Sequence, residues 1–184
     1  FRSMNVSYRA DVLPPAAPNV WEQTPGGEAE LGAGGLDVKG AKQFSRAAPL
    51  LTMAGPGMTI EATVRPVSGM CGIEAANGQR SAALGISDDE LILLDGDKQL
   101  KAVKLDVAKA HTLRLTIDDK HIARAYLDGG DQPVLTAPLK RTVSELAVRW
   151  GSLRASDQSR TQSQWQSLHY TLEGAFTPGR RKFQ

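Results

Sequence analysis

The most constraining part of this sequence is the stretch at residues 109–129, which reads KAHTLRLTIDDKHIARAYLDG. It contains two β-type runs, at residues 111–117 and 121–128, separated by the polar sequence Asp118-Asp119-Lys120. The pattern predicts an antiparallel hairpin with one buried and one polar face. In the first run Leu113, Leu115 and Ile117 alternate with Thr112, Arg114 and Thr116, so the two sets face opposite ways.

The composition favours one all-β domain over residues 1–184. The chain has 184 residues, 41% of them hydrophobic and 23% charged, which is enough for a single core. Its 18 glycines and 10 prolines are spread along the chain, as suits many short strands joined by turns. The net charge of +2, with mixed signs, argues against nucleic acid as a partner. The basic run Arg180-Arg181-Lys182 is interpreted as part of a solvated tail at residues 179–184.

A series of short strands is predicted from Met58 onward. Residues 58–65 alternate between apolar and polar side chains, and Pro66 is expected to end this strand. Residues 1–57 are less regular, with an edge strand expected at 5–12 and a short pair of strands at 36–39 and 42–46. Trp21, Trp150 and Trp165 are expected to be core or edge-covering residues. The further predicted strands lie at residues 70–75, 81–86, 90–94, 100–105, 132–138, 146–151 and 164–175.

Several of these stretches resemble the concanavalin A-like lectin/glucanase domains of the LamG-like type. In the hairpin the matching residues are His111, Leu113, Arg114, Tyr126, Asp128 and Gly129. The strand from Met58, the RWGS sequence at 149–152 and the closing stretch at 164–178 are also similar to that family. The resemblance implies a two-sheet antiparallel β-sandwich, or jelly roll, in which a terminal strand pairs beside the last one. It also implies an exported bacterial protein, secreted, periplasmic or at the cell surface. The sequence begins at Phe1 without a basic and then apolar leader, so a signal peptide is expected to be either absent or already removed.

The sequence lacks the motifs of the common catalytic classes. Glucanases of this family carry an E-x-D-x-x-E type motif on one strand, and this chain has none. The acidic runs Asp88-Asp89-Glu90 and Asp118-Asp119 are interpreted as solvated turn charges, and no G-x-S-x-G elbow occurs. We therefore expect no catalytic residue of these types.

No cofactor is expected either. Cys71 is the single cysteine, so it cannot form an intramolecular disulfide, and it is expected to be a buried, inert thiol. No apolar run is long enough to span a membrane, and no metal-ligand spacing is present. Structural calcium ions are common on related folds, and Asp95, Asp97 and Asp128 are the candidate ligands in this chain. Their spacing does not support a calcium site.

The candidate ligand-binding residues lie on the polar faces of the predicted strands. If these strands were neighbours in one sheet, they would form an open concave face able to grip hydroxyls and stack on a sugar ring. The alternative is that they make ordinary cross-strand pairs. If this face is not the site, the loops containing Asp95, Asp97 and Asp157 are the next candidates. The residues of the predicted face are Glu61, Arg114, Arg124, Tyr126, Arg149 and His169.

Three functions remain open on this basis. The first is a non-catalytic carbohydrate-binding or adhesion module, with a polysaccharide or other glycan as its partner. The second is a glycoside hydrolase-like enzyme with an atypical site. The third is a structural or protein-interaction sandwich without a glycan ligand. Fold resemblance alone does not separate them.

Overall fold

Alternating apolar and polar residues produce fourteen strands in the described part of the chain. In this computed structural model the described residues are 21–47, 57–87, 89–153 and 160–179. The predicted edge strand at 5–12, Asp88, Asp157 and the basic tail lie outside these residues. The strands are β1 (Glu22–Gln23), β2 (Glu28–Gly32), β3 (Gly35–Lys39), β4 (Gln43–Ala47), β5 (Gly57–Ser68), β6 (Cys71–Asn77), β7 (Ser81–Ser87), β8 (Glu90–Asp95), β9 (Lys98–Lys104), β10 (His111–Asp118), β11 (Ile122–Leu127), β12 (Leu135–Pro138), β13 (Leu146–Ser152) and β14 (Gln162–Thr171).

The strands form two antiparallel sheets of seven strands each. The first sheet has the order β1-β4-β13-β6-β7-β8-β9, and the second has the order β12-β11-β10-β5-β14-β3-β2. The inner faces of both sheets contribute to one apolar core, so the two sheets pack face to face. The predicted all-β, two-sheet antiparallel sandwich is therefore confirmed. Among the described residues no helix has the length and apolar character needed to cross a bilayer.

Four aromatic rings occupy one part of the core. Phe44 stacks on Trp150 with ring centroids 4.3 Å apart, and Trp165 meets Trp150 edge-on at 4.9 Å. Trp21 also meets Trp150 edge-on, with ring centroids 5.8 Å apart. All three tryptophans are buried, as predicted. Such aromatic pairs stabilise the sandwich beyond the effect of burial alone, by about 0.5–1.5 kcal/mol each.

The inward register of the predicted strands is confirmed in β5 and β10. Met58, Ile60, Ala62 and Val64 of β5 are all buried, as are Leu113, Leu115 and Ile117 of β10. The prediction that Pro66 ends β5 is wrong, because the strand continues to Ser68. Pairing with β14 passes from Ser163↔Pro66 to Gln162↔Ser68, so Val67 is an extra residue at a bulge. A proline is tolerated where the hydrogen-bond ladder is interrupted in this way.

The early strands were predicted correctly as strands but paired wrongly. The expected pair at 36–39 and 42–46 corresponds to β3 and β4, which lie in different sheets. β4 pairs with β1 and β13, whereas β3 pairs with β2 and β14. An N-terminal strand therefore does lie beside the last strand, as the family resemblance implied.

Two aspartates close the β10–β11 hairpin at its two ends. At the turn, Asp118 Oδ1 accepts hydrogen bonds from the backbone N–H groups of Lys120 (3.0 Å) and Ile122 (2.9 Å). At the open end, Asp128 Oδ1 accepts from the N–H of Thr112 at 3.0 Å, and Asp128 Oδ2 lies 2.9 Å from His111 Nδ1. Two of the residues that carry the family resemblance, His111 and Asp128, thus hold the open end of the hairpin together.

The single cysteine is a buried residue of the first sheet, as predicted. Cys71 has no exposed surface. Burial raises the pKa of its thiol to about 12, although a hydrogen bond with Ser163 acts in the opposite direction. The thiolate that reacts with electrophiles and oxidants is therefore scarce at neutral pH.

Candidate functional site

Five of the six predicted site residues lie on the outer face of the second sheet. Tyr126 of β11 pairs with Arg114 of β10, Arg114 pairs with Glu61 of β5, and Glu61 pairs with His169 of β14. These four side chains form one row across four neighbouring strands. Arg124 lies two residues before Tyr126 on β11 and so projects from the same face. The condition that these strands be neighbours in one sheet is therefore met for the strands of these five residues.

Arg149 does not belong to this face. It lies on β13, which is in the first sheet, so its predicted place beside Arg114 and Arg124 is wrong. Its guanidinium instead contacts Glu74 of β6 at 3.1 Å and Glu145. Alternation identified correctly that Arg149 points away from the core, but not from which sheet.

The predicted face is not open, because a segment of the chain after β14 lies across it. Thr59 Oγ1 donates a hydrogen bond to the carbonyl of Gly174 at 2.7 Å and accepts one from the N–H of Phe176 at 2.9 Å. Arg114 Nη1 donates to the carbonyl of Phe176 at 3.2 Å. We call residues 174–176 the C-terminal strap. Arg114 and Tyr126 are 5% and 3% exposed, so neither is the solvent-facing residue that was predicted.

Arg114 and Arg124 of this face already donate to carboxylates. Arg114 Nε donates to Glu61 Oε2 at 2.6 Å, and Arg124 Nη1 donates to Asp118 Oδ2 at 2.6 Å. Burial alone would raise the pKa of Asp118, but its hydrogen bonds with Arg124, Ile122 and Lys120 outweigh that effect and hold the pKa below its usual value. The pKa of Tyr126 is raised, mainly by burial. These contacts match the alternative interpretation, in which the polar residues pair across strands.

The outer face of the first sheet is built differently, around a row of glycines. Gly151, Gly72 and Gly85 are neighbours on β13, β6 and β7. A Cβ on Gly72 would lie 2.7 Å from Leu153 Cδ1, and one on Gly85 would lie 2.4 Å from Met70 Cε. The missing side chains therefore let Leu153 and Met70 pack flat on the sheet. A second apolar cluster forms there, with Met70, Ala83, Ile92 and Leu94 buried and Ala102 and Leu153 partly buried.

A small recess of about 90 Å³ lies beside this cluster. Three of its residues follow one row of the sheet, because Glu74 pairs with Ala83 and Ala83 pairs with Leu94. The complete lining is Glu74, Ala83, Leu94, Gly96, Asp97, Arg141 and Leu153. The recess thus combines apolar groups with acceptor and donor side chains.

The loop that carries Arg141, which joins β12 to β13, is held by contacts with residues outside it. Asp95 Oδ2 accepts hydrogen bonds from the backbone N–H groups of Lys140 (2.8 Å) and Arg141 (3.1 Å). The same loop is bridged to Arg80 through Thr142. Asp95 is 8% exposed, so these bonds are made in a largely buried setting. The backbone that carries Arg141 is fixed before any ligand arrives.

Glu74 is the most buried charged group of the recess lining. Burial raises the pKa of its carboxyl, while the neighbouring Arg149 guanidinium at 3.1 Å acts in the opposite direction. Arg141 lowers the pKa of Glu74 further by charge attraction. The pKa of the Glu74 carboxyl is therefore above its usual value. When this carboxyl is ionised, its oxygens accept hydrogen bonds.

The described residues contain no group of three or more His, Cys, Asp or Glu side chains that could hold a metal ion. Of the three aspartates considered for calcium, Asp95 and Asp128 accept backbone hydrogen bonds. Asp97 lines the recess.

The sequence predictions missed most of the recess. Glu74, Arg141 and Leu153 were not among the predicted site residues, whereas Asp97 was named as an alternative if the polar face failed. One usable signal was present: Glu74 is the only charged residue of β6, which reads CGIEAAN. A lone carboxylate within an apolar strand identifies a position where the outer face of the sheet is not simply solvated.

Comparisons with known proteins support the fold. The binding domain of botulinum neurotoxin DC in complex with SialylT matches with a TM-score of 0.58 and 10% identity, over 87% of this chain and 45% of that chain. The same domain in complex with rat synaptotagmin II matches with a TM-score of 0.58 and 11% identity, over 87% of this chain and 45% of that one. A Trypanosoma rangeli sialidase in complex with 2,3-difluoro-KDN matches with a TM-score of 0.59 and 18% identity, over 80% of this chain and 26% of that one.

These likenesses extend to the fold alone. This chain spans less than half the length of the three structures, and the identities are far below those that would carry a function with them. A scan against protein-family models gives no match, and a search of curated proteins gives none either.

Proposed function

We propose that this chain is a non-catalytic carbohydrate-binding module and that the recess on the outer face of the first sheet is its ligand site. The observation that carries the proposal is the composition of the recess: Ala83, Leu94 and Leu153 supply apolar surface, while Glu74 and Arg141 supply an acceptor and donors. A sugar ring has an apolar C–H surface and a rim of hydroxyls, so it needs both kinds of contact in one place. Ligand sites generally combine apolar lining with a few polar groups in this way.

The structural likenesses support a glycan over other ligands, through the fold only. One similar structure contains SialylT and another contains a difluorinated KDN. Membership in the concanavalin A-like or LamG-like family, and the exported location that such membership implies, form part of the same proposal. They rest on the sequence resemblance in the hairpin and the closing strands. A protein partner is the competing function, since a third similar structure is a complex with synaptotagmin II.

A glycan array followed by titration tests the proposal. The Ala83→Phe variant places a ring over the floor of the recess, and Ala83 is 8% exposed on the outer face, so the change should leave the core intact. We expect Ala83→Phe to abolish binding of any array hit while thermal melting shows a folded protein. The matched control is Arg124→Ala on the opposite face, which should bind like the unmodified protein.

Other outcomes decide against the proposal in distinct ways. Loss of binding in Arg124→Ala but not in Ala83→Phe would return the site to the predicted polar face. A chain that binds no glycan on the array would favour the protein-interaction alternative. Release of reducing sugar from a bound polysaccharide would favour the enzyme alternative.

A further inference from the structure

We propose that Arg141 makes this recess selective for glycans that carry a carboxylate. In this arrangement the Arg141 guanidinium binds the carboxylate, and the sugar ring lies over Ala83 and Leu94. The inference rests on the proposed function and adds to it the chemical class of the ligand. The relevant class is sugar acids, in which a carboxylate is attached to a ring that is otherwise rich in hydroxyls.

The first argument is that the donors of Arg141 are unused. Within the part of the chain that the structure describes, its guanidinium makes no hydrogen bond and no ion pair, and the one hydrogen bond assigned to the residue comes from its backbone N–H. Arg114, Arg124 and Arg149 each donate to a carboxylate instead. A guanidinium presents a planar fork of donors that matches a carboxylate with two parallel hydrogen bonds.

The second argument is that the fold leaves space for the guanidinium beside the recess. Gly96 has a φ of +63°, and a Cβ there would lie 2.4 Å from Arg141 Nη1. The side chain of Arg141 therefore lies directly over the β8–β9 turn, in space that the absence of a side chain at Gly96 leaves open. Because Asp95 also fixes the backbone of Arg141, less conformational freedom remains to be lost on binding.

The third argument concerns charge. A carboxylate entering the recess meets Glu74, whose negative charge is offset in part by Arg149 at 3.1 Å, which also contacts Glu145, and by charge attraction to Arg141. Asp97, the other carboxylate of the lining, is exposed, so its charge is screened by water. Arg141 is thus the positive group of the recess lining that has no carboxylate hydrogen-bonded to it among the described residues, and an anionic ligand supplies one.

The test is a set of NMR titrations with two matched pairs of sugars. The methyl glycosides of glucuronic and galacturonic acid are compared with those of glucose and galactose, using ¹⁵N-labelled protein. We expect an acid to bind more tightly than its neutral parent and to shift the amide signals of Ala83 and Gly96. Arg141→Gln should weaken binding of the acid by roughly tenfold or more and weaken binding of the neutral sugar much less, since only the acid uses the charged fork. Arg141→Lys keeps the charge but loses the fork, so it should restore only part of the affinity.

Arg65→Gln is the matched control, because Arg65 is an exposed arginine on the second sheet. An equal loss of acid binding in Arg65→Gln would indicate general charge attraction and overturn the inference. Gly96→Ala is a second test, because it displaces the guanidinium without changing the charge, and it should also weaken acid binding.

The remaining outcomes separate the inference from the proposed function. If neutral glycans bind at the recess and their acid counterparts bind no better, the inference is wrong but the binding module stands. If acids bind better and Arg141→Gln has no effect, the inference is again wrong. If the array and both sugar pairs give no binding, the proposed function itself fails.

Discussion

On the outer face of the second sheet, Arg114 and Arg124 donate to Glu61 and Asp118, and the C-terminal strap lies across the row. On the outer face of the first sheet, glycines and alanines leave space above the strands that larger side chains would fill. Arg141 lines a recess there and has no hydrogen-bonded carboxylate among the described residues. In the proposed function, arginines at the two faces thus serve different purposes: Arg114 and Arg124 pair across strands, whereas Arg141 binds a ligand. Whether the fork of an arginine is occupied distinguishes the two uses better than the direction in which its side chain points.

The largest expected effect is on the buried pair of the second face. Arg114→Ala should lower the free energy of unfolding by about 3–5 kcal/mol, because it leaves the Glu61 carboxylate largely buried without its cation. Urea denaturation measures this loss. Arg141→Ala should change stability by less than about 0.5 kcal/mol, as for other exposed positions. Equal losses in the two variants would erase the contrast between the faces.

The next effect concerns the strap. Thr59→Val keeps the shape of the side chain but removes its hydrogen bonds with Gly174 and Phe176, and should cost about 1–3 kcal/mol. Hydrogen exchange at the amide of Phe176 should become faster in this variant. Unchanged protection there would mean that Thr59 does not hold the strap. Thr63→Val on the same strand is a suitable control, because Thr63 bonds to Thr112 rather than to the strap.

Asp118→Asn should cost about 1 kcal/mol at neutral pH, since it replaces a charge-assisted hydrogen bond with Arg124 by a neutral one. The folded-state pKa of Asp118 lies below its usual value of 3.8, so its ionised form stabilises the fold above that pH. This contribution should be lost as the pH falls below 3.8 and through the folded-state pKa. Urea midpoints of the two proteins should therefore converge in acid, and a constant difference would contradict the prediction.

Glu74 should show the opposite pH dependence and the smallest effect. Its folded-state pKa is raised above 4.5 by burial, so its stabilising contribution is complete below pH 4.5 and is lost as the pH rises through the raised value. Gln does not ionise, so the Glu74→Gln variant does not lose stability in this way. The stability of the variant relative to the unmodified protein should therefore improve as the pH rises. At pH 7 we expect a difference within about 0.5 kcal/mol, because Arg149 keeps Glu145 as a partner. A large destabilisation at pH 7 would mean that the Glu74–Arg149 pair matters more than burial.

The sequence was most informative where the structure depends on local alternation. In β5 and β10 the period of two predicts which side chains enter the core, since one face of each strand is buried. The same reasoning predicts that Arg149 faces outward. It cannot predict the sheet, because the pairing of β13 with β4 and β6 joins residues about 70 to 110 positions apart and has no local signature.

Coverage of the outer faces was the other limit of prediction. Thr116 alternates like a solvent-facing residue, yet it is 1% exposed. Whether a polar position is solvated depends on what crosses the sheet later in the chain, as the strap does at Thr59 and Arg114. The lining of the recess also depends on a later part of the chain, because Arg141 comes from the loop that joins β12 to β13. Strand patterns alone could therefore identify the fold but not the site.

The burial of Cys71 makes this molecule convenient to label. The chain has one cysteine, and its thiol is fully buried with a pKa of about 12, so maleimides and other thiol reagents should leave the native protein unmodified. A second cysteine introduced at an exposed position, such as Lys101, would then carry a fluorophore or spin label at one defined place. Engineering of a cysteine-free background, which would create a cavity in the first sheet, becomes unnecessary.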